Sequence, residues 1–375
     1  MYKFLPYMTN DYSVGLYCEE VNDIYHSAHG ALSEAYEKFI NPLELNDGIR
    51  VLDICYGVGY NTKALLNEFI KRKYEKVNID CVDMDSVLIQ ISPFINSRIG
   101  FLDRILKKKS LLNNVENYNE AQKIVNTKWI KKKTDFRLSK DVNRILYKSL
   151  RRSFCIEAEN LLRENENHVF FDKSILKMHQ ILSNLDDKLY QNKNKSTYLH
   201  NIYYRNISKR YFKEKFKDYN VKFFAQDIRD FIKNTKNRYD IILLDGFTPQ
   251  KCPCIWSQDF FEALYTIMQD NAQLVTYNSS AVVRAAMLNA QFKIGNILDS
   301  DNNIIGTFSS KKESLIKHPL SVRQFGLLST KAGIPYRDKN LELTNDQILR
   351  NRCYEVNKSS LESSSKYLKR CKNEI

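Results

Sequence analysis

The chain has 375 residues, 43% of them hydrophobic and 12% aromatic, with a formal net charge of +14. That length holds one large or two medium domains around a sizeable core, and the apolar content excludes a wholly disordered protein. No run is long enough to span a bilayer, and the opening MYKFLPYMTNDYS lacks the basic-then-apolar layout of a secretion signal, so a cytoplasmic protein is expected.

In chain order, residues 1–21 read as an extended lead-in, and residues 31–40 as a helix ended by Pro42. Residues 50–66, RVLDICYGVGYNTKALL, follow. Val51-Leu52-Asp53-Ile54-Cys55 reads as a buried parallel strand, and Gly57-Val58-Gly59 makes a tight turn. A helix over 61–69 then puts Ala64, Leu65 and Phe69 on one face. Glycines between a strand and a helix bring a ligand close to the backbone at the positive helix end. A second strand is expected over 77–82 with Asp83 at its end, thirty residues after Asp53, and a helix over 86–91 closed by Pro93. The third glycine of a dinucleotide loop is missing, so a dehydrogenase is the weaker reading. An acidic residue ending strand one, Gly-x-Gly, and an acidic residue ending strand two resemble the S-adenosylmethionine loop of class I methyltransferases. Another nucleotide-binding α/β protein and a plain structural turn stand as alternatives.

Residues 100–210 interrupt this alternation. They are rich in Lys, Asn, Leu and Ile, contain no proline, and space Leu146, Leu150, Phe154 and Leu161-Leu162 as a helix would. They read as an inserted helical subdomain, too apolar for a linker. The strand–helix pattern resumes over 221–224, followed by Asp227, and then over 241–244. A helix over 258–268, a strand over 273–277 and a helix over 280–291 come next. Two last strands, around 292–297 and 304–309, would complete a seven-stranded sheet with an antiparallel edge hairpin. The expected division is 1–99 and 211–310 for the two halves of an α/β domain, 100–210 for the insertion, and 311–375 for a basic tail whose end, from 351, frays.

Charge is unevenly placed. Residues 101–200 hold 21 Lys+Arg against 12 Asp+Glu, and residues 311–375 hold 14 against 7, whereas the remainder holds 23 against 25. Basic appendages on a nearly neutral core suit an enzyme acting on a polyanion; the bland alternative is a solvated lysine-rich surface. The 8 cysteines stand mostly singly, as at Cys55, Cys81 and Cys155, which fits reduced thiols. Cys252-Pro253-Cys254 has no companion pair, so no metal site is expected. His168, His179 and His200 have no Ser or Cys pattern beside them and read as surface or packing residues.

Residues 241–256, IILLDGFTPQKCPCIW, carry the most chemistry. A buried strand delivers the Asp245 carboxylate at its end, a turn glycine follows, and Pro249 and Pro253 stiffen the loop, as in the ligand crevice of open α/β sheets. Asp-Gly also marks ordinary turns. Leu244-Asp245-Gly246-Phe247-Thr248-Pro249-Gln250-Lys251, with Pro253, Trp256 and Phe260 or Phe261, is similar to a signature of the bacterial tRNA 5-methylaminomethyl-2-thiouridine methyltransferase family, the MnmC type. Tyr56-Gly57-Val58-Gly59-Tyr60-Asn61 resembles the second half of that family's cofactor loop, with Cys55 where the family has a glycine. Asp23-Ile24-Tyr25-His26-Ser27 with Gly30-Ala31 and Glu34 resembles its opening segment. Val283-Arg284, Gly306-Thr307 and the stretch from Lys331 to Asp338 are similar to its stand-alone members.

The resemblance implies a class I methyltransferase fold, S-adenosylmethionine as cofactor, and methylation of the aminomethyl nitrogen on the wobble uridine of tRNA, gripped by its anticodon arm. An alkylammonium has no lone pair, so it must lose a proton before attacking a sulfonium methyl, and Asp245 is the candidate to hold the amine and accept that proton. Holding nitrogen and methyl in line would lower much of the remaining barrier. Asp53 would meet the cofactor's amino-acid end, with Tyr56, Gly57, Gly59 and Asn61 around it, and Asp83 the ribose, with plain helix or strand capping as the alternative for each aspartate. Asp227 would accept the adenine amino group, with Ile228 packed on the ring. Phe247 and Trp256 would stack on the uridine and its neighbours, though Trp256 could equally be core. Lys251 would hold a phosphate or stand as an ordinary exposed lysine. Tyr25, Ser27 and Pro249 would flank the pocket. After Ser310 only 65 residues remain, with Gly326 and Gly333 their sole glycines, so no flavin oxidase half is expected. A methyltransferase acting on a small amine, and a non-catalytic nucleic-acid-binding protein on a methyltransferase fold, are the alternatives.

Overall fold

The computed structural model describes residues 4–11, 13–18, 23–25, 30–92, 138–139, 141–143, 145–146, 148–150 and 216–373. Most of the expected insertion, with its three histidines, lies outside these residues, as does Ser27. Within it, residues 141–150 are helical where described, and Val142, Ile145, Leu146 and Leu150 are buried, as the spacing requires.

The described residues form two compact units. One takes in residues 1–36, 46–48 and 56–225, and the other residues 37–45, 49–55 and 226–375. The opening residues correct the expectation of a simple lead-in. Strands β1 (Phe4–Met8), β2 (Val14–Cys18) and β3 (Asp23–Ile24) form an antiparallel sheet in that order. Buried Asp11 closes the first hairpin by accepting from Thr9 Oγ1 at 2.7 Å and Ser13 N at 2.9 Å. Its other oxygen accepts Ser33 N at 2.7 Å, which caps helix α1 (Ala31–Glu34). A π-helical turn, Ala35–Ile40, continues α1 over the expected span.

The main sheet contains β4 (Arg50–Ile54), β5 (Val77–Asp83), β6 (Tyr219–Ala225), β7 (Tyr239–Leu244), β8 (Met268–Thr276), β9 (Lys293–Leu298) and β10 (Ile304–Ser310). Their order is β6-β5-β4-β7-β8-β10-β9. The pairs β5–β6, β4–β7 and β7–β8 are parallel, while β10 pairs antiparallel with both β8 and β9. This is the α/β sheet with an antiparallel edge hairpin that the resemblance implies. Central strands are covered on both faces, so Val51–Ile54 and Ile241–Leu244 are fully buried; the second reads as an unbroken apolar run, and the first is apolar apart from Asp53. On edge strand β6 buried residues alternate with exposed ones at its start. Helices α2 (Tyr60–Lys71), α3 (Ser86–Ile91), α4 (Ile228–Asn234), α5 (Gln258–Ile267) and α6 (Ala281–Asn289) alternate with the strands.

The C-terminal segment is folded, which corrects the expectation of fraying from residue 351. Helices α7 (Val322–Leu328) and α8 (Asn345–Lys358) each begin with a capping box, Ser321 with Gln324 and Thr344 with Gln347. Helix α9 (Ser364–Asn373) is held by buried Tyr367, whose hydroxyl donates to Arg323 O at 3.2 Å. The segment is also tied to the α4 and α5 helices by charge. Arg337 forks onto Asp259 through two bonds of 2.8 Å. Asp338, with no exposed surface, accepts Arg229 Nη1 at 3.0 Å and Leu343 N at 2.8 Å. Asp338→Ala leaves part of the half-buried Arg229 fork without a partner, and should cost about 3 kcal/mol of stability in urea unfolding. A loss within a few tenths of a kcal/mol would mean that water replaces the carboxylate.

Candidate active site

The glycine loop after β4 begins at Cys55, whose φ of 60° is left-handed, a conformation that a side chain disfavours. The family's glycine position thus keeps a glycine-like backbone with a cysteine in it. Cys55→Gly should therefore raise stability by about 0.5–1 kcal/mol, a small net gain because glycine also frees the unfolded chain. Equal or lower thermal stability would show that the thiol's packing outweighs the backbone strain. Gly57 and Gly59 are left-handed as well, at φ 54° and 77°, and a Cβ on Gly59 would overlap the hydroxyl end of Tyr56. The chain is thereby tightened so that Gly57 N donates to Asp83 Oδ2 at 2.7 Å. Asp83 Oδ1 accepts Asp85 N at 2.8 Å. Burial pushes the Asp83 pKa up to about 6 despite these amides. A desolvated carboxyl held by two amides, with further lone-pair directions to offer, fits a pair of ribose hydroxyls. Asn61 is buried in the first turn of α2, and Asp53 is fully buried within β4.

Sequence reasoning missed Lys63. It is fully buried on α2, with its Nζ 4.8 Å from the Tyr60 ring centre, and burial lowers its pKa to about 7. Nothing in the residue pattern distinguishes it from an exposed helix lysine.

Asp227 is the N-cap of α4 and accepts Arg229 N at 2.8 Å. The Arg229 guanidinium folds back on the same carboxylate, with Nη2 at 2.7 Å and Nε at 3.2 Å from each oxygen. Burial alone would raise the Asp227 pKa, but the Arg229 bonds outweigh it and hold the group below the ordinary range. An adenine amino group approaching Asp227 would therefore share this carboxylate with Arg229. Ile228 is buried at the start of α4.

The loop after β7 starts where parallel register brings Leu244 opposite Ile54, the last residue of β4. Asp245 N donates to Ile54 O at 3.3 Å, so the carboxylate-bearing residue sits at the strand end beside Cys55. Gly246 is there for space: a Cβ would run into the Ile255 side chain and crowd Cys55 Sγ. Its carbonyl accepts the Tyr277 hydroxyl at 2.9 Å. Trp256 has no exposed surface and donates from Nε1 to Phe247 O at 2.7 Å, with its ring edge-on to Tyr277. The stacking role for Trp256 is therefore corrected: it is a core residue that shapes the loop. Phe247 is half-buried, Pro249 buried and Lys251 exposed. Tyr25 is half-buried, with its amide bonded to Leu16 O at 2.9 Å beside β2. Cys252 and Cys254 are free thiols with sulfurs 3.6 Å apart. Among the described residues no group of three or more His, Cys, Asp or Glu stands together as a metal site would need. No described helix is long and apolar enough to cross a membrane.

Two resembling fragments distant in sequence prove to be one network. Buried Arg284 donates to Thr307 Oγ1 at 2.9 Å, Asn296 Oδ1 at 2.9 Å and Gly306 O at 3.1 Å, while burial lowers its pKa to about 10.

Comparison with known proteins agrees with this geometry. Residues 190–299 match the sequence model of a family of S-adenosyl-L-methionine-dependent methyltransferases. Over 354 residues the chain is 23% identical to an uncharacterized protein of Methanocaldococcus jannaschii, covering 92% of this chain and 70% of that one. Over 66 residues it is 39% identical to the tRNA 5-methylaminomethyl-2-thiouridine biosynthesis bifunctional protein MnmC of Burkholderia vietnamiensis, which is 18% of this chain and 10% of that protein. Among solved structures, MNMC2 from Aquifex aeolicus shares the fold with a TM-score of 0.58 at 19% identity, over 95% of this chain and 86% of that one. The chain thus carries a methyltransferase domain whose cofactor is S-adenosylmethionine, and it resembles the MnmC-type methyltransferases.

Proposed function

We propose that the chain methylates the aminomethyl nitrogen on the wobble uridine of tRNA. The observation that carries this reading is the position of Asp245, at the end of β7 and bonded through its amide to the end of β4, where the cofactor loop begins. S-adenosylmethionine, when bound, supplies an electrophilic methyl group. Asp245 holds the substrate ammonium by charge and takes one of its protons, which frees the nitrogen lone pair. Tyr277 and Trp256 fix the backbone carbonyls of Gly246 and Phe247, so the carboxylate is presented from a rigid turn. Phe247 offers a half-buried ring to a neighbouring base. The 39% identical stretch shared with a protein named for 5-methylaminomethyl-2-thiouridine biosynthesis supports this substrate. The test is mass analysis of tRNA nucleosides from cells with and without the gene. The reading expects aminomethyl-uridine to accumulate without it, and unchanged nucleosides would refute it.

A further inference from the structure

We infer that the exposed face of α8 is an RNA-binding stripe that receives the tRNA strand next to the modified uridine. This inference rests on the tRNA reading above and adds to it the surface that grips the substrate. Helix α8 starts at the substrate loop. Asn345, its first residue, donates from Nδ2 to Lys251 O at 3.3 Å and accepts Cys254 N on Oδ1 at 3.4 Å. From there the helix runs for about 20 Å at 1.5 Å per residue.

Arg350, Tyr354 and Lys358 recur every fourth residue, so they lie on one face. All three are exposed, and Tyr354 leaves 62% of its surface open, an unusual position for a large ring. Lys358 Nζ lies 5.8 Å from the Tyr354 ring centre. The opposite face is committed to packing: Ile348 is buried, and Arg352 donates to Ile334 O at 2.7 Å with its guanidinium over Tyr336. Arg352 therefore secures the helix while the other two cations and the ring face outward. Of the acidic residues on α8, exposed Asp346 stands at the N-terminal end of this same row, four residues before Arg350 in the first turn where the helix dipole favours it, and Glu355 is turned about 100° away from Tyr354.

A cation, an aromatic face and a second cation in line match the chemistry of a single nucleic-acid strand: phosphates at the ends and a base stacked between. Charge complementarity favours this occupant, since residues 311–375 carry 14 Lys+Arg against 7 Asp+Glu. An acidic peptide would satisfy the cations but leave the exposed ring without its stacking partner.

The test uses the full chain with Arg350→Gln/Lys358→Gln, Tyr354→Ala, and the control Lys293→Gln, an exposed lysine on β9. Binding of tRNA is followed against salt, alongside methylation kinetics and S-adenosylmethionine affinity. The charge variant should weaken tRNA binding about 10-fold and lower the salt slope by about 2, one per phosphate contact. Tyr354→Ala should weaken binding about 10-fold with the slope unchanged. Both should raise KM for tRNA and spare kcat and cofactor affinity. Unchanged binding and slope in the stripe variants, or an equal loss in Lys293→Gln, would overturn the stripe even if the wild type methylates tRNA. Conversely, stripe-dependent tRNA binding by a wild type that transfers no methyl group would uphold the stripe and refute the proposed function.

Discussion

Asp245→Asn should lower methyl transfer by about 10²–10⁴-fold while leaving both ligands bound. The amide matches the carboxylate in shape, and the amide of residue 245 that bonds Ile54 O is backbone, so the turn is retained. What disappears is the group that accepts the ammonium proton. Single-turnover methylation at increasing pH separates this role from simple positioning. If Asp245 acts as the base, raising pH should partly rescue the variant, because more of the amine then arrives already deprotonated. A variant with near-normal turnover at neutral pH would reduce Asp245 to a positioning group.

Asp83→Asn should weaken S-adenosylmethionine binding by roughly 10- to 100-fold, the loss expected when two hydroxyls exchange a charged acceptor for a neutral one. The wild type should also show a pH dependence that the variant lacks. Burial raises the Asp83 pKa to about 6. Ionisation therefore costs the free folded protein some stability, a cost absent below the unfolded carboxyl range and complete above about pH 6. Ligand binding has the opposite sign, because the ribose needs the ionised acceptor: affinity should hold at neutral pH and fall as pH drops through about 6. Calorimetric titration at several pH values reads both effects. A wild-type affinity that is flat across this window would move the ribose contact away from Asp83.

The parts of the fold legible in the sequence were those in which local pattern and tertiary role coincide. Ile241–Leu244 is apolar throughout, and Val51–Ile54 apart from Asp53, because both faces of their strands are covered. Gly57 and Gly59 marked a turn that the structure makes with left-handed backbone. The opening residues were legible only as extended chain, because their pairing into a sheet depends on contacts between strands; β1 is an edge strand, where Pro6 is tolerated. The C-terminal segment was misjudged from its serine and lysine content. Its order comes from two capping boxes, the Tyr367 anchor and the Arg229–Asp338 pair, each a matter of contacts that composition does not record. At the site, the residues whose role depends on a distant partner were the hardest to read. Asp227 follows a strand as a ligand-binding carboxylate would, yet the Arg229 side chain folds back on it. Trp256 sits in a functional motif and serves it from the core. Arg284 and Thr307 were recognisable only as separate fragments until the sheet brought them together.

The activity proposed for this chain is transfer of a methyl group from S-adenosylmethionine to an aminomethyl nitrogen on tRNA. It is tested most directly by incubating the purified chain with S-adenosylmethionine and tRNA bearing 5-aminomethyl-2-thiouridine, and then analysing the digested nucleosides by mass. The wild type should convert that one nucleoside to its N-methyl form, with little conversion by Asp245→Asn. Unchanged tRNA, under conditions where the chain binds both S-adenosylmethionine and the tRNA, would contradict it.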